Sequence, residues 1–318
     1  MRILVTGAAG LLGHAVVPLL HKRGHYVIQC EKDVAFKSAS TPISFIADLS
    51  SEEGAGAAIR LSRPDAVVHL AGRRAAVAKQ YALAADLLLD NLAIDISVFR
   101  AMRKYGVKRG VYASTVSVYP SVGRLDADAR EEDADCFPDD SVRFSACAKL
   151  TAERAIEAMN LQDGAQVSIV RLVNTYGPHD NFGPDALVIP ALIRRFLSET
   201  KPELSSPDYD RDVLFVADAA RGIVAALEHP TAGIWNLGTG VSTKVRDIAD
   251  VVAEAVGRPH CYTTSSSSSD YGTGARRKVV DPSKAQRELG WGATTSLVDG
   301  VRRTVEWYRT GGSLNEEA

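Results

Sequence analysis

This chain of 318 residues carries 37 Lys and Arg against 39 Asp and Glu, so no basic excess points to a nucleic-acid partner, and small molecules are the expected ligands. Its four cysteines are scattered without metal-ligand spacing, and a disulfide framework is unusual in so long a chain, so we expect a reducing cytoplasm and no metal site. No apolar run is long enough for a secretory signal or a membrane span.

The first thirteen residues, MRILVTGAAGLLG, predict a nucleotide-binding turn between a buried strand and a helix. Ile3 to Thr6 suit the strand, and Gly7 permits the sharp turn after it. Gly10 lets the backbone approach a pyrophosphate, and Gly13 lets the helix pack closely on the sheet. The residues expected to contact the cofactor here are Gly7, Ala9, Gly10, Leu11 and Leu12.

A second strand, Tyr26 to Cys30, leads into Glu31, and this spacing supports the turn, because three glycines alone also occur in plain connections. An acid at this place accepts hydrogen bonds from the adenosine ribose and repels the extra phosphate of NADP, which favours NAD. Lys32 and Lys37 follow and offset part of that repulsion, and we place Lys32 with the cofactor site. A solvated acid at a strand end is the alternative for Glu31.

Apolar runs of strand length alternate with segments of helical periodicity, which predicts a parallel sheet. Right-handed crossovers then give an α/β fold with a Rossmann-type doubly wound sheet and a smaller C-terminal α/β substrate lobe. The predicted strands are Ile3 to Thr6, Val27 to Cys30, Ala66 to Leu70, Gly110 to Ala113 and Val167 to Leu172. The predicted helices between them include Ala82 to Arg103 and Ala148 to Met159.

Halfway along the chain this rhythm changes, since two Gly-Pro pairs mark turns and a helix follows from about Leu187 to Leu197. We therefore predict a Rossmann domain over 1–172 and a substrate lobe over 173–318. Val213 to Val216 and Ile234 to Leu237 are predicted strands that rejoin the first sheet, so the two lobes interleave.

Short motifs follow one another in a characteristic order. They are GAAGLLG, Asp48-Leu49, HLAG at His69 to Gly72, Asn91, STVSVY at Ser114 to Tyr119, RLVNTYGP at Arg171 to Pro178, RDVLFVADAA at Arg211 to Ala220, WNLGTG at Trp235 to Gly240, and the terminal DPSKAQRELGW. In these motifs the chain resembles the extended short-chain dehydrogenase/reductase family, in particular its nucleotide-sugar epimerases and dehydratases. HLAGRRAAV is most similar to the galactose-type 4-epimerases, and the resemblance covers nearly the whole chain.

The resemblance implies NAD as the cofactor. It implies that Asp48 and Leu49 contact the adenine, that Arg74 helps to hold the cofactor phosphates, and that Lys149 binds the nicotinamide ribose. The other implied cofactor contacts are Leu70, Ala71, Gly72 and Asn91. A solvated pair on a loop is the alternative for Arg73 and Arg74.

A nucleotide-diphosphate sugar is the substrate that the resemblance implies. The implied substrate contacts are Arg73, Thr115, Asn174, Arg211 and Arg277. Two arginines hold a diphosphate through paired, charge-assisted hydrogen bonds, and Arg276 is the alternative to Arg277 as the second of them. An exposed basic cluster of Arg276, Arg277 and Lys278 is the competing interpretation.

In the resembled family a Ser or Thr, a Tyr, and a Lys four residues after the Tyr carry out the hydride chemistry. Thr115 and Lys149 match, but the residue four places before Lys149 is Ser145. The family's phenol is the acid/base, and the lysine ammonium lowers its pKa from ~10 toward neutrality. An alkyl hydroxyl is far less acidic. Three explanations stay open: Ser145 is an introduced change, the natural enzyme uses another acid/base, or the site keeps its ligands without catalysis.

Several groups are candidates to replace the phenol. Cys147 is a thiol near a lysine, although a small buried apolar residue is its alternative role. Tyr119 and Tyr176 are reserve candidates. A water ordered by Thr115, Ser145 and the lysine is the fourth possibility.

The family's dehydratases carry an Asp-Glu pair where this chain has Val116 and Ser117, so the resemblance disfavours elimination of water. We expect an NAD-dependent nucleotide-sugar epimerase that oxidises a sugar hydroxyl to a transient ketone and returns the hydride. A keto-sugar reductase or dehydrogenase and a catalytically impaired, NAD-binding regulatory protein are the alternatives. By analogy with the family we expect a homodimer through the helices predicted at Ala82 to Arg103 and Ala148 to Met159.

Overall fold

The computed structural model describes residues 1–32, 44–76, 79–120, 128–134, 142–183, 186–264 and 276–311. The strands are β1 (Arg2–Thr6), β2 (Tyr26–Glu31), β3 (Ser44–Ile46), β4 (Ala66–His69), β5 (Arg109–Thr115), β6 (Gln166–Leu172), β7 (Asn174–Tyr176), β8 (Glu203–Leu204), β9 (Asp210–Arg211), β10 (Val213–Phe215), β11 (Ile234–Leu237), β12 (Thr243–Lys244), β13 (Thr263–Thr264) and β14 (Arg277–Lys278). The α-helices are α1 (Leu11–Lys22), α2 (Glu52–Ser62), α3 (Ala84–Lys104), α4 (Arg143–Asp163), α5 (Val188–Ser198), α6 (Val216–Glu228), α7 (Val245–Ala255), α8 (Ser283–Leu289) and α9 (Leu297–Arg309).

Seven strands form one parallel sheet in the order β11-β6-β5-β4-β1-β2-β3. The order runs outward in both directions from β1, which is the doubly wound arrangement. The structure therefore confirms the predicted Rossmann-type α/β fold. Among the described helices, none is both long and apolar enough to cross a membrane.

Helices cover the sheet on both faces. Because successive side chains of each strand point to opposite faces, each strand contributes to both cores. In β1, Ile3 and Val5 join a core cluster with apolar residues of α1 and α6. Leu4, between them, joins a second cluster with residues of α2, α3 and α4 on the other face. Each fully buried aliphatic side chain of this kind stabilises the fold by about 1.5–3 kcal/mol.

Helix α4 begins earlier than the sequence pattern predicted. It runs from Arg143 rather than Ala148 and ends at Asp163, and the next residue, Gly164, has a left-handed φ of 62°. Ser145 and Lys149 consequently lie on the same helix, four residues apart, and project from one face of it.

The second lobe contains short strands in small sheets: a β10-β7 pair, a β12-β9-β14 sheet and a β13-β8 pair. Helices α5, α7 and α9 surround a third core cluster. Leu11, at the start of α1, belongs to this cluster together with Tyr176 and Phe215. The start of the helix after the glycine turn therefore packs directly against the second lobe.

One strand prediction is wrong. Ile234–Leu237 rejoins the main sheet beside β6, but Val213–Phe215 does not. It pairs in parallel with Asn174–Tyr176, which begins after a single residue beyond β6 and lies outside the seven-stranded sheet. The division into a Rossmann domain over 1–172 and a substrate lobe over 173–318 stays a prediction.

Candidate functional site

The glycine turn is tightly packed against its surroundings. Gly7 has a φ of +68°, and a Cβ there would lie 2.8 Å from the backbone N of Ala71. A Cβ on Gly13 would lie 2.3 Å from the carbonyl oxygen of Ala8. Gly10 is the N-cap of α1 and supplies no side-chain cap, so the first N–H groups of the helix are available to an anion.

Glu31 ends β2 beside this turn. Its Oε1 accepts a hydrogen bond from the backbone N–H of Ala9, so the acid is held against the turn. Lys32 forms an exposed ion pair with Asp48, 3.3 Å between Nζ and Oδ2. Side-chain and backbone hydrogen bonds from Ser50, followed by the charge of Lys32, lower the pKa of Asp48. Lys37 lies outside the described residues.

The loop after β4 is fixed by Asn91, a buried residue of α3. The Asn91 Oδ1 accepts from the backbone N–H of Arg73 (2.8 Å), and its Nδ2 donates to the Arg73 carbonyl (3.0 Å) and to that of Leu87 (2.6 Å). Asn91 thus holds the backbone of the loop that carries Leu70, Ala71 and Gly72. The Arg73 guanidinium turns away to Asp86 and Asp90 on α3, at 3.2 and 2.6 Å.

Arg74 points in a different direction from Arg73. Its Nη2 donates to Oδ1 of Asp180, which lies in the segment after β7. The Asp180 side chain is 0% exposed, whereas that of Arg74 is 44% exposed. Arg74 therefore connects the loop after β4 to the second lobe.

Lys149 lies at the carboxyl edge of the sheet. Its Nζ donates to the carbonyl of Ala113 on β5 (3.1 Å) and lies 4.4 Å from the ring centroid of Tyr112. A Cβ on Gly72 would lie 3.6 Å from the same Nζ. The ammonium group is consequently placed between the loop after β4 and the end of β5.

A buried polar network that the sequence analysis missed lies beneath Lys149. Tyr112 donates to Asp95 (2.6 Å), and the Nε2 of His69 lies 3.0 Å from the same carboxylate. Because a carboxylate only accepts, Nε2 carries the proton, and Nδ1 accepts from the Thr6 hydroxyl at 2.7 Å.

The Asp95 carboxylate stays ionised within this network. Burial opposes its charge, but Lys149, His69 and Tyr112 outweigh burial and lower the pKa of Asp95. The available signal was spacing: Asp95 stands four residues after Asn91, on the same buried face of α3.

Thr115 and Ser145 are the two hydroxyl residues of the predicted catalytic group. Thr115 ends β5, and its Oγ1 accepts from the N–H of Ser117 (3.2 Å), which leaves its own proton to donate elsewhere. Ser145 has two acceptors for its single proton, the Oε1 of Gln80 (2.9 Å) and the carbonyl of Val142 (3.0 Å). Its oxygen lies one bond from Cβ, whereas a phenol oxygen lies across an aromatic ring and reaches much farther.

The two reserve tyrosines are core residues. The Tyr119 hydroxyl donates to Asn236 (2.6 Å) and accepts from Arg171 (3.1 Å), and the Tyr176 hydroxyl donates to the Leu297 carbonyl (3.5 Å). Burial raises the pKa of both phenols. Because both hydroxyl groups are hydrogen-bonded within the core, the structure disfavours the reserve roles predicted for them. Cys147 is a half-buried free thiol.

The second lobe presents its basic residues on neighbouring strands. Arg211 pairs with Lys278 in the register of β9 and β14, and it is buried, with Nη1 donating to the carbonyl of Asp210 (2.8 Å). Arg277 forms an ion pair with Asp128, and the Nζ of Lys278 donates to Ser117 Oγ (3.3 Å). The last contact links the second lobe to the residues just beyond β5.

Asn174 begins β7 and is half-buried. It therefore lies just past the carboxyl end of β6, at the same edge as the glycine turn and Lys149. The roles assigned to Asn174, Arg211 and Arg277 in substrate binding stay predictions.

Comparison with known proteins agrees with this arrangement. The family model described as NAD dependent epimerase/dehydratase matches residues 3–238. GDP-L-fucose synthase of Escherichia coli (strain K12) is 26% identical, over 96% of this chain and 96% of its own length. The structure of UDP-glucose 4-epimerase from Thermotoga maritima with UDP-glucose is 26% identical and has a TM-score of 0.88, covering 98% of this chain and 99% of that one.

A second solved structure, UDP-glucose 4-epimerase of Thermus thermophilus in complex with NAD, is 29% identical with a TM-score of 0.84, covering 97% of this chain and 99% of its own. The family match extends from the first strand of the seven-stranded sheet to its last, so it includes the glycine turn, Thr115 and Lys149. The chain therefore belongs to the NAD dependent epimerase/dehydratase family and is an enzyme of the extended short-chain dehydrogenase/reductase type.

Proposed function

We propose that this enzyme is an NAD-dependent nucleotide-sugar epimerase, which oxidises a sugar hydroxyl to a ketone and returns the hydride to the opposite face of the ring. The observation that carries the proposal is the convergence of the glycine turn, Gly72 and the Lys149 ammonium at one edge of the sheet. The solved UDP-glucose 4-epimerases with UDP-glucose and with NAD support the same classes of substrate and cofactor.

The residues around the turn suit NAD. Bound there, NAD supplies a reversible hydride acceptor. The uncapped start of α1 suits the diphosphate, and Glu31, already held by Ala9, suits the adenosine ribose hydroxyls. Arg74 adds a cation for the diphosphate, and Lys149 binds the nicotinamide ribose. The acid at the end of β2 favours NAD over NADP.

Proton transfer in this site does not use a phenol at position 145. Thr115 donates to the reacting oxygen, and Lys149 stabilises negative charge that develops on it. We assign the acid/base role to a water bound between Thr115, Ser145 and Lys149, which takes the proton of the sugar hydroxyl, passes it to bulk solvent, and returns a proton to the oxygen when the ketone is reduced. Positioned acid/base groups contribute about 10²–10⁴-fold to such rates, so this arrangement is slower than one with a tyrosine.

The second lobe supplies the cations for a substrate diphosphate. Arg211 is in register with Lys278 on the adjacent strand, so these two cations project from the same face of the small sheet, which suits two oxygens of one diphosphate, whereas Arg277 projects from the opposite face. Asn174, at the carboxyl edge of the sheet, hydrogen-bonds the substrate.

We further propose that the enzyme is a homodimer. Three large apolar side chains on the two long helices are exposed: Leu89 (62%) and Ile96 (41%) on α3, and Leu161 (88%) on α4. Leu89 and Ile96 are seven residues apart and therefore lie on one face of α3. Covering this face with a second copy removes apolar surface from water.

Cys30, Cys147 and Cys261 are free thiols, which suits a reducing cytoplasm.

The test compares the natural enzyme with Ser145→Tyr, after loading with NAD, on a panel of nucleotide sugars. Both forms should interconvert a substrate and its epimer without net change in NADH absorbance, and Ser145→Tyr should be faster because a phenol reaches the lysine. Arg154→Gln, at an exposed position farther along the same helix, is the matched control and should leave the rate unchanged.

Other results discriminate between the alternatives. Stoichiometric consumption of NADH identifies a reductase instead of an epimerase. Silence of both forms with NAD bound identifies a regulatory protein. Absence of NAD binding contradicts the whole proposal.

A further inference from the structure

The segment after β7, His179 to Phe182, lies between the start of α1, which follows the glycine turn, and helix α9 of the second lobe. The ring of His179 stacks on the ring of His14, a residue near the start of α1, with 3.7 Å between centroids and 14° between planes. Phe182 packs on Tyr308 of α9, 4.4 Å between centroids. The segment is therefore fixed at both ends, and Asp180 lies between the two contacts.

Asp180 is an unusual acid for two reasons. Its side chain is completely buried, and it lies near the site proposed for the NAD diphosphate, which is also an anion. Its Oδ1 accepts from the N–H of Asn181 (2.7 Å) and from Nη2 of Arg74, while its Oδ2 is buried with no hydrogen-bond partner. Burial raises the pKa of Asp180, and Arg74 opposes that rise. Arg74 is the cation paired with this acid, and it stabilises the ionised form of the buried carboxyl group.

Arg74 differs from Asp180 in its exposure. One Nη group is held by the acid, but 44% of the side chain is exposed. A guanidinium carries five N–H donors in a planar fork, so one edge can bind a carboxylate while another binds a second anion. Arg74 also follows the loop of Gly72, which lies against Lys149.

We propose that Asp180 is a positioning residue for the cofactor: it holds one edge of the Arg74 guanidinium so that the remaining N–H groups bind the NAD diphosphate. This inference rests on the proposed function, because it takes NAD as the ligand of the glycine turn. The positive guanidinium stands between the two anions, so the fixed orientation of Arg74 outweighs repulsion between Asp180 and the diphosphate. The second lobe thereby contributes to cofactor affinity.

Binding of NAD and of ADP-ribose, measured by calorimetry on the full-length protein, tests the proposal in Asp180→Asn, Arg74→Gln and the double variant. Asp180→Asn keeps the shape of the side chain and removes its charge. Each single variant should weaken both ligands by roughly tenfold, the size of one charge-assisted hydrogen bond. The double variant should bind no more weakly than Arg74→Gln alone, because Asp180 acts only through Arg74.

Arg246→Gln, which breaks an exposed ion pair with Asp208 in the second lobe, is the matched control and should not change NAD affinity. Arg74→Lys covers the case in which Asp180→Asn does not fold. It keeps the charge beside Asp180 but lacks the second edge of the fork, so it too should weaken NAD.

The proposal is overturned if Asp180→Asn binds NAD as tightly as the natural enzyme or more tightly. It is equally overturned if Asp180→Asn weakens NAD by the same factor in the Arg74→Gln background, since that result describes a merely structural role. If Asp180→Asn does not fold, an Arg74→Lys variant of natural affinity overturns it. In all these cases the natural enzyme still binds NAD and the proposed function stands, whereas failure of the natural enzyme to bind NAD removes both.

Discussion

The ammonium of Lys149 lies 4.4 Å from the ring centroid of Tyr112, so the lysine rests on the ring of a residue that is itself held by Asp95. A cation over an aromatic face gains about 0.5–2 kcal/mol, depending on how far it is desolvated. Asp95 behind the ring adds a negative charge at longer range. The lysine is thus positioned by two residues that are themselves buried.

Replacing Asp95 with Asn should therefore destabilise the fold by about 1–3 kcal/mol at pH 7, because the amide cannot accept from both His69 and Tyr112. The pKa of Asp95 is lower in the folded state than in the unfolded chain. Its stabilisation is present above the unfolded pKa of about 3.9 and is lost as pH falls through the folded value. Urea unfolding at pH 7 and pH 3 measures the difference, which should narrow at pH 3.

Tyr112→Phe tests whether the ring of Tyr112 or its hydroxyl group supports Lys149. It removes one hydrogen bond to Asp95 and keeps the ring under Lys149, so stability should fall while NAD affinity is retained. A large loss of NAD affinity in Tyr112→Phe would show that the hydroxyl, and not the ring, supports the lysine.

Gly13→Ala should destabilise the protein by about 1–3 kcal/mol or more, since the new Cβ would lie 2.3 Å from the Ala8 carbonyl oxygen and α1 would have to move. Thermal unfolding and NAD affinity should both decrease. Gly292→Ala is the matched control, because nothing lies within 4 Å of its Cβ. Equal stability of the two variants would contradict the close packing of α1 on the turn.

The parts of the site that are local in sequence were predictable from it. The glycine turn and the acid that ends β2 follow from short-range spacing, and the resemblance to the family pointed to the i, i+4 pair of Ser145 and Lys149. Six strands of the main sheet, each of four to seven residues, were found for the same reason. Val213–Phe215 was placed in the wrong sheet because a three-residue strand carries no signal about which partner it pairs with.

Contacts between distant parts of the chain were not predictable in this way. Arg74 and Asp180 are 106 positions apart, and no local pattern shows that one is the partner of the other. Tyr119 belongs to the same short motif as Thr115, yet its hydroxyl group is hydrogen-bonded to Asn236 and Arg171 in the core. Burial, which only the tertiary structure shows, raises the pKa of this phenol.

Glu153→Gln should cost about 3–5 kcal/mol, because it leaves the buried Arg171 guanidinium without its counter-ion. Arg171 donates to both oxygens of Glu153, at 2.7 Å from Nη2 and 3.1 Å from Nε, and both side chains are at most 2% exposed. Urea unfolding of Glu153→Gln, Arg171→Met and the double variant measures the coupling. The double variant should be less destabilised than the sum of the two single variants, and strict additivity would contradict a coupled pair.

His179 should make the stability of the protein depend on pH. Burial, and then the neighbouring His14, lower the pKa of His179 to about 4, whereas an unfolded histidine titrates near ~6.5. Between these values the unfolded chain binds one proton more than the folded one, so stability falls as pH decreases from about 6.5 to about 4.

His179→Asn tolerates the left-handed φ of 65° and should reduce this slope by up to one proton. Urea unfolding at several values of pH in that range measures the slope, with His260→Asn, at a second left-handed position, controlling for the substitution itself. An unchanged slope in His179→Asn would show that the stacked ring protonates as readily in the folded state as in the unfolded chain.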